Sequence, residues 1–294
     1  LALYCSAEAH YSVVRAAEVL GLGGESVRSL PIDGRRRMDP AACAAAIDAD
    51  VAAGVTPMAV VATTGTTLTG AVDDVAALAD VCAAHAVWLH VDGAYGLPAA
   101  STATAGPLFA GLDRADSATV DAHKWLFVPK ACSVLLVRDP ETLRAAFAHR
   151  ESYIPHVHEE EPHAVDQTLE YSRPLRSLKL WLAFTVHGAA AMRAAIEANL
   201  AQAQLLAELV RADDELELVC EPSLSVVCFR HRDVDSHRLV VALQEDARVY
   251  LSGADVDGTA CLRACFVNFR TTDDDVRATV AVVKELAAAR PRPS

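Results

Sequence analysis

Over its first half, this chain alternates short, nearly unbroken apolar runs with longer helix-forming stretches. Residues 1–5 (LALYC) read as a strand, 10–22 as an amphipathic helix stopped by glycines, and 26–31 as a second short strand. Asp39-Pro40 opens a helix to about residue 53, with Asp as N-cap and Pro in the first turn. MAVVAT at 58–63 reads as a buried strand and runs into the hydroxyl- and glycine-rich loop Thr64–Gly70. A helix over about 72–85, a strand at 87–91 and further strands at 117–121 and 132–137 follow. Strands that are apolar at nearly every position need cover on both faces. The pattern therefore predicts a parallel or mixed sheet between helices, an α/β fold.

The pattern breaks between 148 and 170, where His149, His156, His158 and His163 mingle with the Glu159–Glu161 run and no period survives. This stretch reads as a mobile surface loop. A helix over 175–212 then leads to strands at 216–220 and 224–230, a helix at 236–246, strands at 247–251 and 260–269, and a last helix at 273–289. The expected organisation is a large α/β domain over 1–178 and a smaller C-terminal α+β domain over 179–294. A net charge of −13 argues against a general nucleic-acid or anionic-membrane surface. No apolar stretch reaches the roughly 18 residues of a membrane span, and no basic leader precedes one. The eight cysteines are scattered without a CxxC pair and read as buried thiols in a reducing, cytoplasmic compartment. Cys261 and Cys265 lie in a strand-like stretch, and the loop histidines lack a spacing that would converge them, so no metal is expected.

In open α/β sheets, ligands bind beyond the carboxyl ends of the strands. The Thr64–Gly70 loop, Asp92 and Lys124 all fall there. Alone, a lysine after a strand is usually solvated and an aspartate there is usually a cap or turn residue. Together they supply what a pyridoxal phosphate site needs: an amine to take the cofactor aldehyde and a carboxylate to keep the pyridine nitrogen protonated.

The stretches AEAHYSVVRA (7–16), VATTGTT (61–67), WLHVDGAY (88–95), DAHKW (121–125) and RSLKLW (176–181), with LRACFVNFR (262–270) weaker, carry a resemblance. In this order the chain resembles the group II pyridoxal-phosphate-dependent amino-acid decarboxylases, the family of aromatic-L-amino-acid decarboxylase. The resemblance implies the PLP-dependent transferase fold type I. It makes Lys124 the cofactor-bearing lysine and Asp92 the partner of the pyridine nitrogen. His10 would stack on the ring, with Ala94 near its other face, and His123 and Thr67 would lie beside the cofactor and the scissile carboxylate. Tyr153 would return a proton to the substrate carbon after carbon dioxide leaves, and Arg173 matches a family arginine near the site.

The implied activity is decarboxylation of an L-amino acid, aromatic side chains favoured, to an amine, by a homodimer. An aminotransferase, a desulfurase-like or aldehyde-forming relative and a non-catalytic fragment stand as alternatives; retention of Tyr153 favours simple decarboxylation. Two departures accompany the resemblance. The family's N-terminal segment, with its dimerisation arm and phosphate-binding loop, has no counterpart ahead of His10, so the chain is expected to be truncated. Gly93 stands where many relatives have Ala, an exchange expected to matter little.

Overall fold

A computed structural model describes residues 1–149 and 163–289. The first part of the chain forms β1 (Ala2–Ser6), α1 (Ser12–Val19), β2 (Val27–Leu30), α2 (Pro40–Ala52), β3 (Pro57–Thr63) and α3 (Val75–His85). It continues through β4 (Trp88–Asp92), β5 (Ser117–Asp121), β6 (Ser133–Val137) and α4 (Pro140–Phe147). These strands make one six-stranded sheet in the order β2-β1-β3-β4-β5-β6, parallel except for β6. This is the mixed sheet of an α/β fold type I architecture. The winding reverses between β1 and β3, which opens a crevice at the carboxyl ends of those strands.

The helices start where local chemistry makes them start. The Asp39 side chain accepts from the Ala41 and Ala42 amides with Pro40 in the first turn, and Asp74 and Asp139 cap α3 and α4 in the same way. Alternation along the strands sorts the sheet into two faces. Ala2, Tyr4, Val60, Ala62, Leu89 and Val91 are fully buried in one core with Cys43 and Ile47 of α2 and Leu78 and Cys82 of α3. The opposite face is polar towards the strand ends.

Beyond β6 the 35-residue α5 (Ser177–Arg211) bends at Gly188, whose φ of 77° is non-helical. It leads into β7 (Leu216–Leu218), β8 (Val226–His231), α6 (Ser236–Asp246), β9 (Ser252–Val256), β10 (Thr259–Cys265) and α7 (Asp273–Ala288). The second sheet is antiparallel, in the order β7-β8-β10-β9. Val227, Phe229, Leu262 and Ala264 on one of its faces pack with α5, α6 and α7. Val226, Cys228 and Cys261 on the other join the core of the large sheet. All eight cysteines are free thiols. Among the described residues, no helix is long and apolar enough to cross a membrane.

Several expectations change, and the strand expected at 260–269 ends at Cys265. The strand expected at 247–251 lies instead at Ser252–Val256, because the tight turn at Asp257-Gly258 (φ 52° and 79°) sets the hairpin register from Val256↔Thr259 backwards. The helix expected over 10–22 is shorter, Ser12–Val19. The helix α4 was not expected at all, although Asp139-Pro140 repeats the signal of Asp39-Pro40. Of the loop expected at 148–170, residues 150–162, including Tyr153, lie outside the described residues.

Asp73 is a buried acid of this scaffold, accepting from the Met38 amide at 2.6 Å and the Thr63 amide at 2.7 Å. Burial pushes its carboxyl up from 3.8 to about 6, aided by Asp33 and opposed by the two amides and Arg37. A pKa raised on folding gives stability that is full below the unfolded value and is lost as pH rises through the folded one. Asn at this position does not titrate. The stability of the native protein relative to Asp73→Asn is therefore expected to fall by about 2 kcal/mol between pH 4 and pH 6.5. Urea unfolding of both proteins across that range checks it, and a constant difference would refute it.

Candidate active site

The registers Val61↔His90↔Ser117 and Thr63↔Asp92↔Thr119 line up polar side chains on the face of the large sheet opposite α2 and α3. Backbone bonds lace the strand ends together there: Thr64 N–H to Asp92 O at 2.9 Å, Gly93 N–H to Thr119 O at 3.1 Å and Asp121 N–H to Ala94 O at 3.0 Å. Above them opens a cavity of about 540 Å³, walled by α1 and lined by His10, Thr63, Thr67, His90, Asp92, Ala94, Thr119, Asp121 and Lys124. Five residues expected at the site, His10, Thr67, Asp92, Ala94 and Lys124, thus meet in one crevice from four separate segments.

Asp92 ends β4, and its Oδ1 accepts the Ala94 amide at 3.1 Å, which fixes the carboxylate at the turn. Lys124 follows β5, and its Nζ lies 2.9 Å from Asp121 Oδ2. Burial alone would raise the Asp121 carboxyl; the Ser133 hydroxyl, Lys124 and the nearby His123 together hold it below the usual range. His10 Nδ1 lies 2.8 Å from Ser12 Oγ and accepts the Ser12 amide at 3.3 Å, so the ring both secures the start of α1 and faces the cavity.

Two expected residues sit elsewhere. His123 directs Nδ1 at the Cys132 carbonyl, 3.0 Å away, and approaches the cavity only through Asp121, 3.9 Å from its Nε2. The Arg173 guanidinium bonds within its own segment, to Thr168 Oγ1 at 3.2 Å and Glu170 O at 3.0 Å.

Several residues given no role in the sequence reading shape the crevice. His90 lies 2.8 Å from Ser117 Oγ and 3.2 Å from Thr119 Oγ1; burial holds its imidazole below the ordinary pKa despite nearby Asp92. Tyr95 and Trp125, three and one residues past Asp92 and Lys124, stack at 4.9 Å and 14°. Tyr95 bonds Ser225, and Trp125 Nε1 donates to Asn199 Oδ1 at 3.0 Å. Both aromatics stand inside the quoted motifs, but their partners are about 74 to 130 residues away and could not be read there. Gly93 is not interchangeable with Ala here, because a methyl would sit 2.4 Å from the Leu97 Cβ. At Gly96 it would sit 2.2 Å from the Thr64 carbonyl.

The donor set fits pyridoxal phosphate. An amine and a carboxylate face one space, and the buried Thr63 hydroxyl beside Asp92 has no hydrogen-bond partner among the described residues. Comparison with known proteins agrees. Residues 1–232 match the pyridoxal-dependent decarboxylase conserved domain. The aromatic-L-amino-acid decarboxylase of Bacillus atrophaeus is 33% identical over 97% of this chain and 62% of its own length. The cysteine sulfinic acid decarboxylase of Rattus norvegicus is 37% identical over 78% of this chain and 47% of its own. A crystal structure of Oryza sativa TDC with PLP and tryptamine superposes with a TM-score of 0.91 at 30% identity, over 98% of this chain and 62% of that one. The chain spans about three fifths, or less, of the length of these relatives. By sequence, fold and the residues gathered in its crevice, this chain belongs to the pyridoxal-dependent decarboxylase family.

Proposed function

We propose that the protein is a carboxy-lyase that removes the α-carboxylate of an L-amino acid and releases an amine and carbon dioxide. The observation that carries this reading is the placement of Asp92 and Lys124, from the ends of the adjacent parallel strands β4 and β5, on one cavity of about 540 Å³. When bound, pyridoxal phosphate supplies the electron sink for the bond that breaks at Cα.

The chain's own residues supply position and charge. Lys124 presents the amine that takes the cofactor aldehyde, and Asp92 lies ready for the pyridine nitrogen. His10 would cover the cofactor ring from the α1 side, and Ala94 would leave room on the other. Thr67 brings a hydroxyl to the exposed edge, and His123 acts on the cavity through Asp121. Tyr153, outside the described residues, keeps the role the resemblance implies, returning a proton to Cα. Arg173 has no role in this scheme.

An aromatic substrate is favoured by the apolar extension of the cavity along α1, formed by Val13, Ala16, Leu20 and Met58. The relatives named above are decarboxylases of aromatic amino acids and of cysteine sulfinic acid, and a substrate panel separates the two classes. A homodimer is supported by the exposed stripe of Leu178, Trp181, Leu182 and Val186, spaced as one face of α5. A cytoplasmic setting is supported by the free thiols. The division into 1–178 and 179–294 places its boundary at the first turn of α5.

Lys124→Ala is expected to abolish borohydride-trapped cofactor and to lower amine formation roughly a thousandfold or more. Peptide mapping by mass spectrometry checks the first point, and a retained label at this peptide would remove the central claim. Tyr153→Phe is expected to bind cofactor normally but to make amine roughly a hundredfold more slowly. Unchanged amine release from the loaded protein would take Tyr153 out of the scheme. With native protein, a panel of aromatic amino acids, cysteine sulfinate and diaminobutyrate, assayed for carbon dioxide, is expected to favour the aromatic members.

A further inference from the structure

Arg35-Arg36-Arg37 follows β2 in a tight turn that Asp33 fixes by accepting from the Arg35 amide at 2.8 Å and the Arg37 amide at 3.0 Å. Arg36 adopts a φ of 63°, a left-handed conformation uncommon for residues other than glycine. Its side chain is only 16% exposed and that of its partner Glu8 only 5%. Arg36 Nε donates to Glu8 Oε1 at 2.5 Å. The other carboxylate oxygen accepts from Thr69 Oγ1 at 3.0 Å and Thr66 Oγ1 at 3.2 Å. The far side of the guanidinium donates to Asp257 at 2.6 and 3.2 Å, on the turn between β9 and β10.

One carboxylate therefore joins three segments distant in sequence. Glu8 stands two residues before His10. Thr66 and Thr69 flank Thr67, and Thr66 Oγ1 also accepts the Ala71 amide at 3.1 Å, so it holds the loop's closing turn. Through Arg36 the same group reaches the hairpin of the small sheet. His10 and Thr67 both line the cavity.

We propose that Glu8, paired with Arg36, is a positioning residue that sets the His10 segment against the Thr67 loop and straps both to the β9–β10 hairpin. This deepens the cofactor reading and rests on it for its consequence. A buried carboxylate whose oxygens are shared among a guanidinium and two hydroxyls has little freedom, because moving it breaks several charge-assisted bonds at once. The amide Glu8→Gln keeps the shape and loses the charge pair. Thr69→Val removes one bond and leaves the pair intact, and Asp257→Asn weakens only the exposed strap.

The test is hydrogen exchange followed by mass spectrometry on the full chain, together with the rate of pyridoxal phosphate capture at Lys124. Glu8→Gln is expected to raise exchange over residues 64–70 roughly tenfold or more and to slow capture. Thr69→Val should act in the same direction by less, and Asp257→Asn should loosen residues 252–259. Unchanged exchange over 64–70 in both Glu8→Gln and Thr69→Val would overturn the proposal, and Thr69→Val decides alone if Glu8→Gln does not fold. Loosened loops with unaltered capture would overturn the positioning role. If the unsubstituted chain captures no cofactor, even when extended by the family's N-terminal segment, the cofactor reading fails, and the exchange data still judge the clamp.

Discussion

The parallel register of β3, β4 and β5 is the constraint on which the rest of this structure depends. Because side chains alternate across a strand, the register that sinks Val60, Ala62, Leu89 and Val91 into the helices must turn Val61, Thr63, His90 and Asp92 the other way. A shift of one residue would carry Asp92 into the dry core and take its carboxylate out of the cavity. Apolar burial and chemistry are thus two consequences of one pairing. The hydrophobic face supplies the stability that holds polar groups, individually costly to order, on the opposite side.

Most of the fold and the centre of the site were legible in the sequence. Apolar runs marked the strands, Asp-Pro marked a helix start, and Asp92 and Lys124 stood at strand ends where the sheet topology puts ligands. What escaped was set by contacts between distant segments. Nothing near residue 250 announces that the Asp257-Gly258 turn will move the strand to Ser252–Val256. His123 stands beside Lys124 in the chain, but successive residues of that turn diverge, and its ring goes to Cys132. Gly93 looked replaceable because its restraint, the Leu97 Cβ, depends on how the following turn folds back. Arg36 sits in a run of like charges that gives no hint that its middle member is buried.

The two reacting groups are also tethered away from their own sheet. Tyr95 and Trp125 follow Asp92 and Lys124 and reach Ser225 and Asn199, residues associated with the second sheet and its long helix. Asn199 in turn bonds Gln202 at 2.9 Å and the Asn268 carbonyl at 3.0 Å. A network in which each buried polar group is satisfied by the next is rigid, because no member can leave without stranding another. The stacked rings thus carry the geometry of the second module into the cavity.

The core that runs without interruption from α2 and α3, through the large sheet, to Val226, Cys228 and Cys261 has a consequence for how the molecule comes apart. Two modules joined by a wet, polar seam can melt one after the other, and each can be produced alone. Here the seam is itself core, so losing the second sheet would strip apolar cover from the first. The buried cluster shared by the two sheets therefore couples their unfolding.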